Sequence, residues 1–269
     1  MATTQDYVGI DDLRVSHEEG VLTATLHRPD SLNSLTGPML TTLADVLERA
    51  GGDPTVRVVR LEGAGRGFSS GAGISEADHA DPAAAGTPAE VLEAANRCIR
   101  AIVALPQPAV AVVQGPCAGV GASLALACDL VLASEKAFFM LAFTKIGLMP
   151  DGGASALIAA AVGRIRAMRM ALLAERIPAA QALDWGLVSA VYPADDFAAG
   201  VDAVVTGLAA GPAVALRKTK HAINAATLTE LEGALEREKE GQEILLDSND
   251  FREGARAFQQ RRPATFTDT

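Results

Sequence analysis

The pattern of apolar and polar positions divides the chain into short strands, glycine-rich turns and helices. Residues 21–27 (VLTATLH) predict a strand and residues 28–34 (RPDSLNS) a turn. Thr36 then stands where it can cap a helix running to Ala50, with Met39, Leu43, Val46, Leu47 and Ala50 on one face. Gly51 and Gly52 end that helix, and VRVVRLE at 56–62 is the next strand. Strand, helix and strand at this spacing make a crossover unit of an α/β fold. GAGRGFSSGAG follows at 63–73, and residues 76–88, charged and alanine-rich with two prolines, predict a surface segment. A helix over 89–105 closes at Pro106 and Pro108.

The same order then recurs. AVAVV at 109–113 predicts a strand, GPCAGVG at 115–121 a glycine-rich loop, and ASLALAC at 122–128 the start of a small apolar helix. DLVLA at 129–133 is a further strand. FMLAF at 139–143 leads into the turn KIGLMPDGG and a helix over about 153–162. Residues 164–174 and 179–185 predict helices, and LVSAVY at 187–192 a short strand. From Phe197 the pattern is helical. Residues 228–246 carry Leu228, Leu231, Leu235, Glu238, Gln242 and Leu245 at mixed three- and four-residue spacing. The expected division is an α/β core over 1–196 and a helical region over 197–269 that serves subunit contact and covers the active site.

Composition narrows the function. The 269 residues can bury about three quarters of the unfolded surface in one core. Hydrophobic residues make up 49% and charged residues 21%, which is globular composition. A net charge of −10 argues against nucleic acid, whose phosphates it would repel, but leaves room for a small phosphorylated ligand met by local basic residues. Cys98, Cys117 and Cys128 lack metal-ligand spacing, and the four histidines, His17, His27, His79 and His221, are scattered. The N-terminal residues have no basic stretch leading into an apolar run, and no segment has the pattern of a membrane span. The expectation is a cytoplasmic enzyme without metal or cofactor.

The chemistry resides in the two glycine-rich loops. Five glycines in eleven residues at 63–73 leave backbone amides exposed. SSGAG at 69–73 and CAGVG at 117–121 each follow a strand, and the second opens a helix whose positive end favours a developing anion. Two oriented N–H groups are well suited to stabilise charge on a thioester oxygen. Packing alone also explains glycine at strand–helix turns. Neither loop is a dinucleotide or P-loop signature, and no GxSxG elbow is present. Ser69, Ser70 and Ser123 are therefore expected to be structural hydroxyls.

These segments resemble the enoyl-CoA hydratase/isomerase, or crotonase, family. HRPDSLNSL at 27–35 is similar to its early NRPxxxNAL motif, and GRGFSSGAG at 65–73 to its first oxyanion segment. PAVAVVQGPCAGVGASLALACDLVLAS at 108–134 is similar to its longest motif. The resemblance runs on through FMLAFTKIGLMPDGG, ALLAERIPAAQALDWGLVSAV and DFREGARAFQQRRPATF, and so covers nearly the whole chain. Among subtypes, the 139–153 and C-terminal stretches look most like the isomerase of the phenylacetate pathway.

The resemblance implies an α/β, crotonase-like (ClpP/crotonase) spiral of ββα units with two roughly perpendicular sheets and a C-terminal helical region used in trimer formation. It implies an acyl-CoA substrate, coenzyme A entering only as part of it, and a homotrimer or dimer of trimers. By motif match the oxyanion amides fall on Ala72 and Val120, flanked by Gly71 and Gly119. The family usually has glycine where Val120 stands. Arg28, Lys145, Arg261 and Arg262 are candidates for the CoA phosphates, with solvated surface positions the alternative for each.

Departures from the family pattern shape the expected reaction. Typical hydratases carry two glutamates at positions that are Ser123 and Phe143 here, and neither residue can act as a general base near neutral pH. The first segment ends GAG at Gly73 rather than the frequent GAD. Asp151, in PDGG, remains. A catalytic aspartate occurs at the matching position in dienoyl-CoA isomerases and in a haloaromatic acyl-CoA dehalogenase. Asp151 also directly precedes a helix, so it could serve as the N-cap, which would lower its pKa. A pocket containing Phe143 and Met149 would raise it. Glu76 and Asp78 are further acids, expected in solvent, as is His79. His27, Cys117, Cys128 and Trp185 are expected to be structural. Three functions follow as expectations: an isomerase using Asp151, a hydratase, or an acyl-CoA binder with little turnover.

Overall fold

In the computed structural model, residues 7–73 and 86–269 are described. Glu76, Asp78 and His79, with most of the predicted surface segment, lie outside the described residues.

Three ββα repeats can be traced directly. β1 (Leu13–Glu18) and β2 (Val21–Leu26) form an antiparallel pair and lead to α1 (Gly37–Gly51). β4 (Ala109–Val113) and β5 (Pro116–Ala118) precede α3 (Val120–Ala127). β6 (Leu130–Ser134) and β7 (Phe138–Met140) precede α4 (Ala154–Leu173). Between the first two, β3 (Val58–Gly63) precedes α2 (Pro88–Ala104). After α4 come β8 (Ile177–Pro178), α5 (Ala179–Trp185) and β9 (Ala190–Tyr192). The main sheet has the order β1-β2-β3-β4-β6-β9 and is parallel beyond the first pair. A small second sheet runs β5-β7-β8. This is the crotonase-like α/β architecture.

β4 explains why AVAVV is apolar throughout. Ala109, Ala111 and Val113 face the main core, with Met39 and Leu43 of α1 and Ile99 and Ile102 of α2. Val110 and Val112 face a second cluster with Val201 and Val205. A parallel strand buried on both faces has no polar side to show. Val201 and Val205 belong to α6 (Phe197–Ala210), so the helical region after 196 covers the back of the sheet. α7 (Ala213–Thr227) is clamped by Lys220, whose Nζ lies 2.9 Å from Asp129 Oδ2 and donates to the carbonyls of Ile102 (3.0 Å) and Gln107 (3.2 Å). α8 (Leu231–Leu246) and α9 (Asn249–Gln259) follow. Among the described residues, no single helix is long and apolar enough to cross a membrane.

Local expectations differ from the structure in three places. Thr36 occupies the N-cap of α1 but makes no side-chain capping bond. FMLAF is divided between β7 and a 3-10 turn over Phe143–Ile146. The helices over 153–162 and 164–174 are joined in α4 across one non-helical residue, Gly163 (φ 76°, ψ 161°).

Candidate active site

The first glycine loop is held by the turn that precedes α1. Leu32 and Asn33 adopt positive φ there (55° and 56°). Asn33 is fully buried, and its amide nitrogen reaches the carbonyls of Ala64 (2.9 Å), Gly67 (2.8 Å) and Phe68 (3.1 Å). Its Oδ1 accepts from Arg28 N–H at 2.9 Å. Ser69 Oγ donates to Asn33 O at 2.8 Å and accepts from Gly71 N–H at 3.1 Å. Ser70 Oγ donates to Ser31 O. The serines are structural, as expected. Arg28, expected at the CoA phosphates, is drawn into this scaffold: its guanidinium donates to Ser34 Oγ (2.7 Å) and Ser34 O (3.0 Å) and lies 3.5 Å from Asp12.

Leu35 pairs with this loop in parallel fashion, its N–H bonding Gly71 O (2.8 Å) and its carbonyl accepting from Gly73 N–H (3.0 Å). Bonding through residues 71 and 73 turns the N–H of Ala72 away from Leu35. The second loop is fastened alongside, with Phe68 N–H donating to Pro116 O and Ala118 N–H to Ser69 O, each at 2.9 Å. Gly71 (φ 96°) and Gly119 (φ 54°) meet across the two loops. A Cβ at Gly71 would stand 3.0 Å from Ala118 O and 3.3 Å from Gly119 Cα. Gly71 therefore needs glycine for backbone conformation and for space, and Gly119 for its positive φ. Ala72 and Val120 each follow one of these touching glycines. Val120 opens α3, so its N–H has no intrahelical acceptor. Among the described residues, neither amide has a hydrogen-bond acceptor.

The turn carrying Asp151 is packed against the same helix end. A Cβ at Gly152 would meet Ser123 Cβ at 3.0 Å and Val120 Cγ2 at 3.3 Å. Ser123 Oγ donates to the backbone carbonyl of Asp151 at 2.8 Å. The Phe143 ring reaches to 4.0 Å from where a Gly119 Cβ would be. Asp151 is buried. Its Oδ2 accepts from Gln242 Nε2 at 2.8 Å, while Oδ1 has no partner among the described residues. Burial pushes the carboxyl up to about 7; the Gln242 bond opposes this and the nearby Glu238 carboxylate adds to it.

The N-cap expectation for Asp151 is thereby overturned. The N-cap of α4 is Gly153, and its first amides are satisfied from α8: Glu238 accepts from Gly153 N–H (2.7 Å) and Ser155 N–H (2.8 Å). With those donors taken by another carboxylate, nothing lowers the Asp151 carboxyl as a cap would. Gln242, one turn along α8, also brackets Met149, accepting from its N–H (3.2 Å) and donating to its carbonyl (3.0 Å).

The remaining candidates are dispersed. Lys145 and Arg261 are exposed, and Arg262 is paired with Glu253 at 2.8 Å. The cysteines are buried, with thiols pushed up by burial. His27 Nδ1 lies 3.2 Å from Asp11 O, and Trp185 carries Arg166 and Arg169 over its ring. Among the described residues, no cluster of three His, Cys, Asp or Glu could hold a metal. Sequence reasoning gave no function to Asn33, Glu238 or Gln242. The available signal for the last two was their polarity on the otherwise apolar stripe of 228–246.

Comparison with known proteins places this geometry. The profile of the enoyl-CoA hydratase/isomerase family matches residues 16–269. The chain is 38% identical over 256 residues to the 1,2-epoxyphenylacetyl-CoA isomerase of Escherichia coli (strain K12), covering 94% of this chain and 97% of that one. It is 41% identical over 257 residues to the "Probable enoyl-CoA hydratase" of Rhodobacter capsulatus, covering 95% and 97%. Among solved structures, an enoyl-CoA hydratase from Mycobacterium avium subsp. paratuberculosis K-10 is 65% identical with a TM-score of 0.90, covering 97% and 100%.

Proposed function

The chain belongs to the enoyl-CoA hydratase/isomerase family, and from that premise we propose that it shifts a double bond in an unsaturated acyl-CoA, with Asp151 carrying the proton. The family's general chemistry, an acyl-CoA intermediate stabilised at an oxyanion hole, belongs to this enzyme, and the reading of it as a mere acyl-CoA binder is set aside. In the proposed step the thioester oxygen accepts from the amides of Ala72 and Val120. Gly71 and Gly119 allow its approach, and Arg28, anchored beside the first loop, brings positive charge towards the CoA phosphates. Ionised Asp151 takes a proton from the carbon between carbonyl and alkene. The C–H bond breaks, an O–H bond forms at the carboxylate, and the electron pair moves onto the thioester oxygen. The enolate then returns its electrons, a C–H bond forms at the far carbon with the same proton, and the double bond has moved without redox change.

The observation that carries this proposal is the buried Asp151 carboxyl, held near 7, with one oxygen bound by Gln242 and the other without a partner among the described residues. A base at that value is matched to neutral pH. Hydration is the second reading, favoured by the hydratase names of the R. capsulatus and M. avium relatives. It would have to work with one carboxylate, since Ser123 and Phe143 stand where hydratases carry their two glutamates.

One experiment separates the two. A 3-enoyl-CoA, a 2-enoyl-CoA and, after the E. coli relative, 1,2-epoxyphenylacetyl-CoA are each incubated in water enriched in heavy oxygen, and the products are weighed by mass spectrometry. Isomerisation gives a product of unchanged mass, with a rate that rises through about pH 7 as Asp151 ionises. A 3-hydroxyacyl product carrying solvent oxygen would establish the hydratase instead.

A homotrimer or dimer of trimers is also proposed. Beyond Gly163, α4 exposes Ile165, Met168 and Leu172 at three- and four-residue spacing, and the C-terminal helices expose Val214, Ile223, Ile244 and Phe258. Apolar surface of this kind marks protein contacts. Sedimentation at micromolar concentration should give three or six protomers, and an active monomer would refute the assembly.

A further inference from the structure

We infer that Gln242 is a positioning residue that fixes which oxygen of Asp151 handles the proton, occupying Oδ2 and leaving Oδ1 to face the reacting carbons. This rests on Asp151 being the proton carrier. The amide of Gln242 is oriented by a single backbone residue: its oxygen accepts from Met149 N–H at 3.2 Å, and its nitrogen donates to Met149 O at 3.0 Å. Rotating the amide by half a turn would set oxygen against oxygen and N–H against N–H, so the nitrogen is fixed on the Met149 carbonyl side. Its second hydrogen has one use, the bond to Asp151 Oδ2 at 2.8 Å. Asp151 Oδ2 therefore meets a donor in either protonation state and is the poorer place for a proton. Oδ1, buried and without a partner among the described residues, is where a proton is held and from which it is delivered.

Among the described residues, the polar groups around this carboxyl are few. From α8 come Gln242 and the Glu238 carboxylate, raised by burial and opposed by its bonds to Ser155 and Gly153 and, less, by Arg237. From α3 comes Ser123, whose hydroxyl is committed to the Asp151 backbone. Glu238 adds to the rise in the Asp151 pKa, and Gln242 opposes it. Gln242 thus both orients the acid and restrains its pKa. It stands 91 residues further along the chain, on a helix of the C-terminal region.

The test uses Gln242→Met, of similar length with neither donor nor acceptor, and Gln242→Glu. The first readout needs no substrate: the carboxylic-acid C=O band of Asp151 in the full chain, identified by its absence in Asp151→Asn, is titrated by infrared spectroscopy. Removing the donor should raise its midpoint by about one unit in Gln242→Met. In Gln242→Glu a second carboxyl beside the first should raise it at least as far. The second readout is the pH–rate profile for 3-enoyl-CoA isomerisation. The rising limb should move up with the infrared midpoint, with kcat at pH 7 down by about fivefold, recovering as pH rises, and KM little changed. In Asp151→Asn, adding Gln242→Met should cost nothing further. A merely structural glutamine would lower activity equally at all pH and leave the midpoint in place; that result, in variants that melt as cooperatively as the native chain, overturns the inference. If Gln242→Met does not fold, Gln242→Glu decides by the same midpoint. A shifted midpoint in a protein that turns over no enoyl-CoA would uphold the role of Gln242 and refute the proposed reaction.

Discussion

Asp151→Asn should lower isomerase turnover by about 10²-fold or more while leaving the fold and acyl-CoA binding in place. Asparagine has nearly the same size as aspartate, and its Oδ1 can keep the bond that Gln242 Nε2 now makes to the carboxylate. The backbone of the turn is held by other groups, Ser123 on the carbonyl of residue 151 and Glu238 on the amides of Gly153 and Ser155. What the substitution removes is the ability to accept and return a proton. Stability provides an internal control with a definite sign. The carboxyl is raised in the fold from the ordinary 3.8 to about 7, so ionising it in place is disfavoured by burial. That cost is absent below about 3.8, grows as pH rises between there and about 7, and levels off above. Asparagine carries no such cost, so the Tm of the variant relative to the native chain should improve from pH 6 to pH 8. Ser123→Ala, which loses only a bond to a backbone carbonyl, should have a smaller effect on turnover. Near-native turnover in Asp151→Asn would end its proposed role.

Gly71→Ala should also cost about 10²- to 10³-fold in kcat, the range found when an oxyanion donor is lost. The added carbon would stand 3.0 Å from Ala118 O, a backbone atom with no rotamer in which to retreat, and 3.3 Å from Gly119 Cα. The positive φ of 96° adds a strain of about 1–3 kcal/mol for any residue with a side chain. Relief of both lies in separating the two loops, and separation moves the Ala72 amide from the Val120 amide. Melting should show a modest fall in Tm, and assays below that temperature isolate the catalytic effect. Binding of a saturated acyl-CoA should weaken less than kcat falls, because the amides act most strongly on the charge that develops on oxygen during reaction. An unchanged kcat would mean that the two loops do not share one oxygen.

Local periodicity predicted several elements almost to the residue. AVAVV is β4, residues 179–185 are α5, and the face of Met39, Leu43, Val46, Leu47 and Ala50 is the buried face of α1. These segments are specified by burial repeated at their own period. β1 escaped notice because, as an edge strand, it buries Leu13 and leaves most of its length polar, so that its identity depends on pairing with β2. β5 and β8 are two or three residues long, too short for any period.

The site divides in the same way. Its amides were legible as glycine spacing, since glycine is a local demand of the backbone. The state of Asp151 was not, because the carboxylate that displaces it as cap lies 85 residues from Gly153. On residues 228–246 the pattern gave a stripe of Leu228, Leu231, Leu235, Glu238, Gln242 and Leu245, of which Leu231, Leu235, Glu238 and Gln242 are buried and the two ends half-buried. Nothing in that stripe says that its polar members turn to meet the 149–155 turn. A polar residue at a core position announces a partner without naming it.

The most direct measurement is a crystal structure of Asp151→Asn with a 3-enoyl-CoA bound. The thioester oxygen should lie about 3 Å from both the Ala72 and Val120 nitrogens. The side chain of residue 151, still bonded to Gln242, should face the carbon between carbonyl and alkene. A thioester oxygen bound elsewhere, or Glu76 or Asp78 beside the reacting carbons in place of residue 151, would contradict the account.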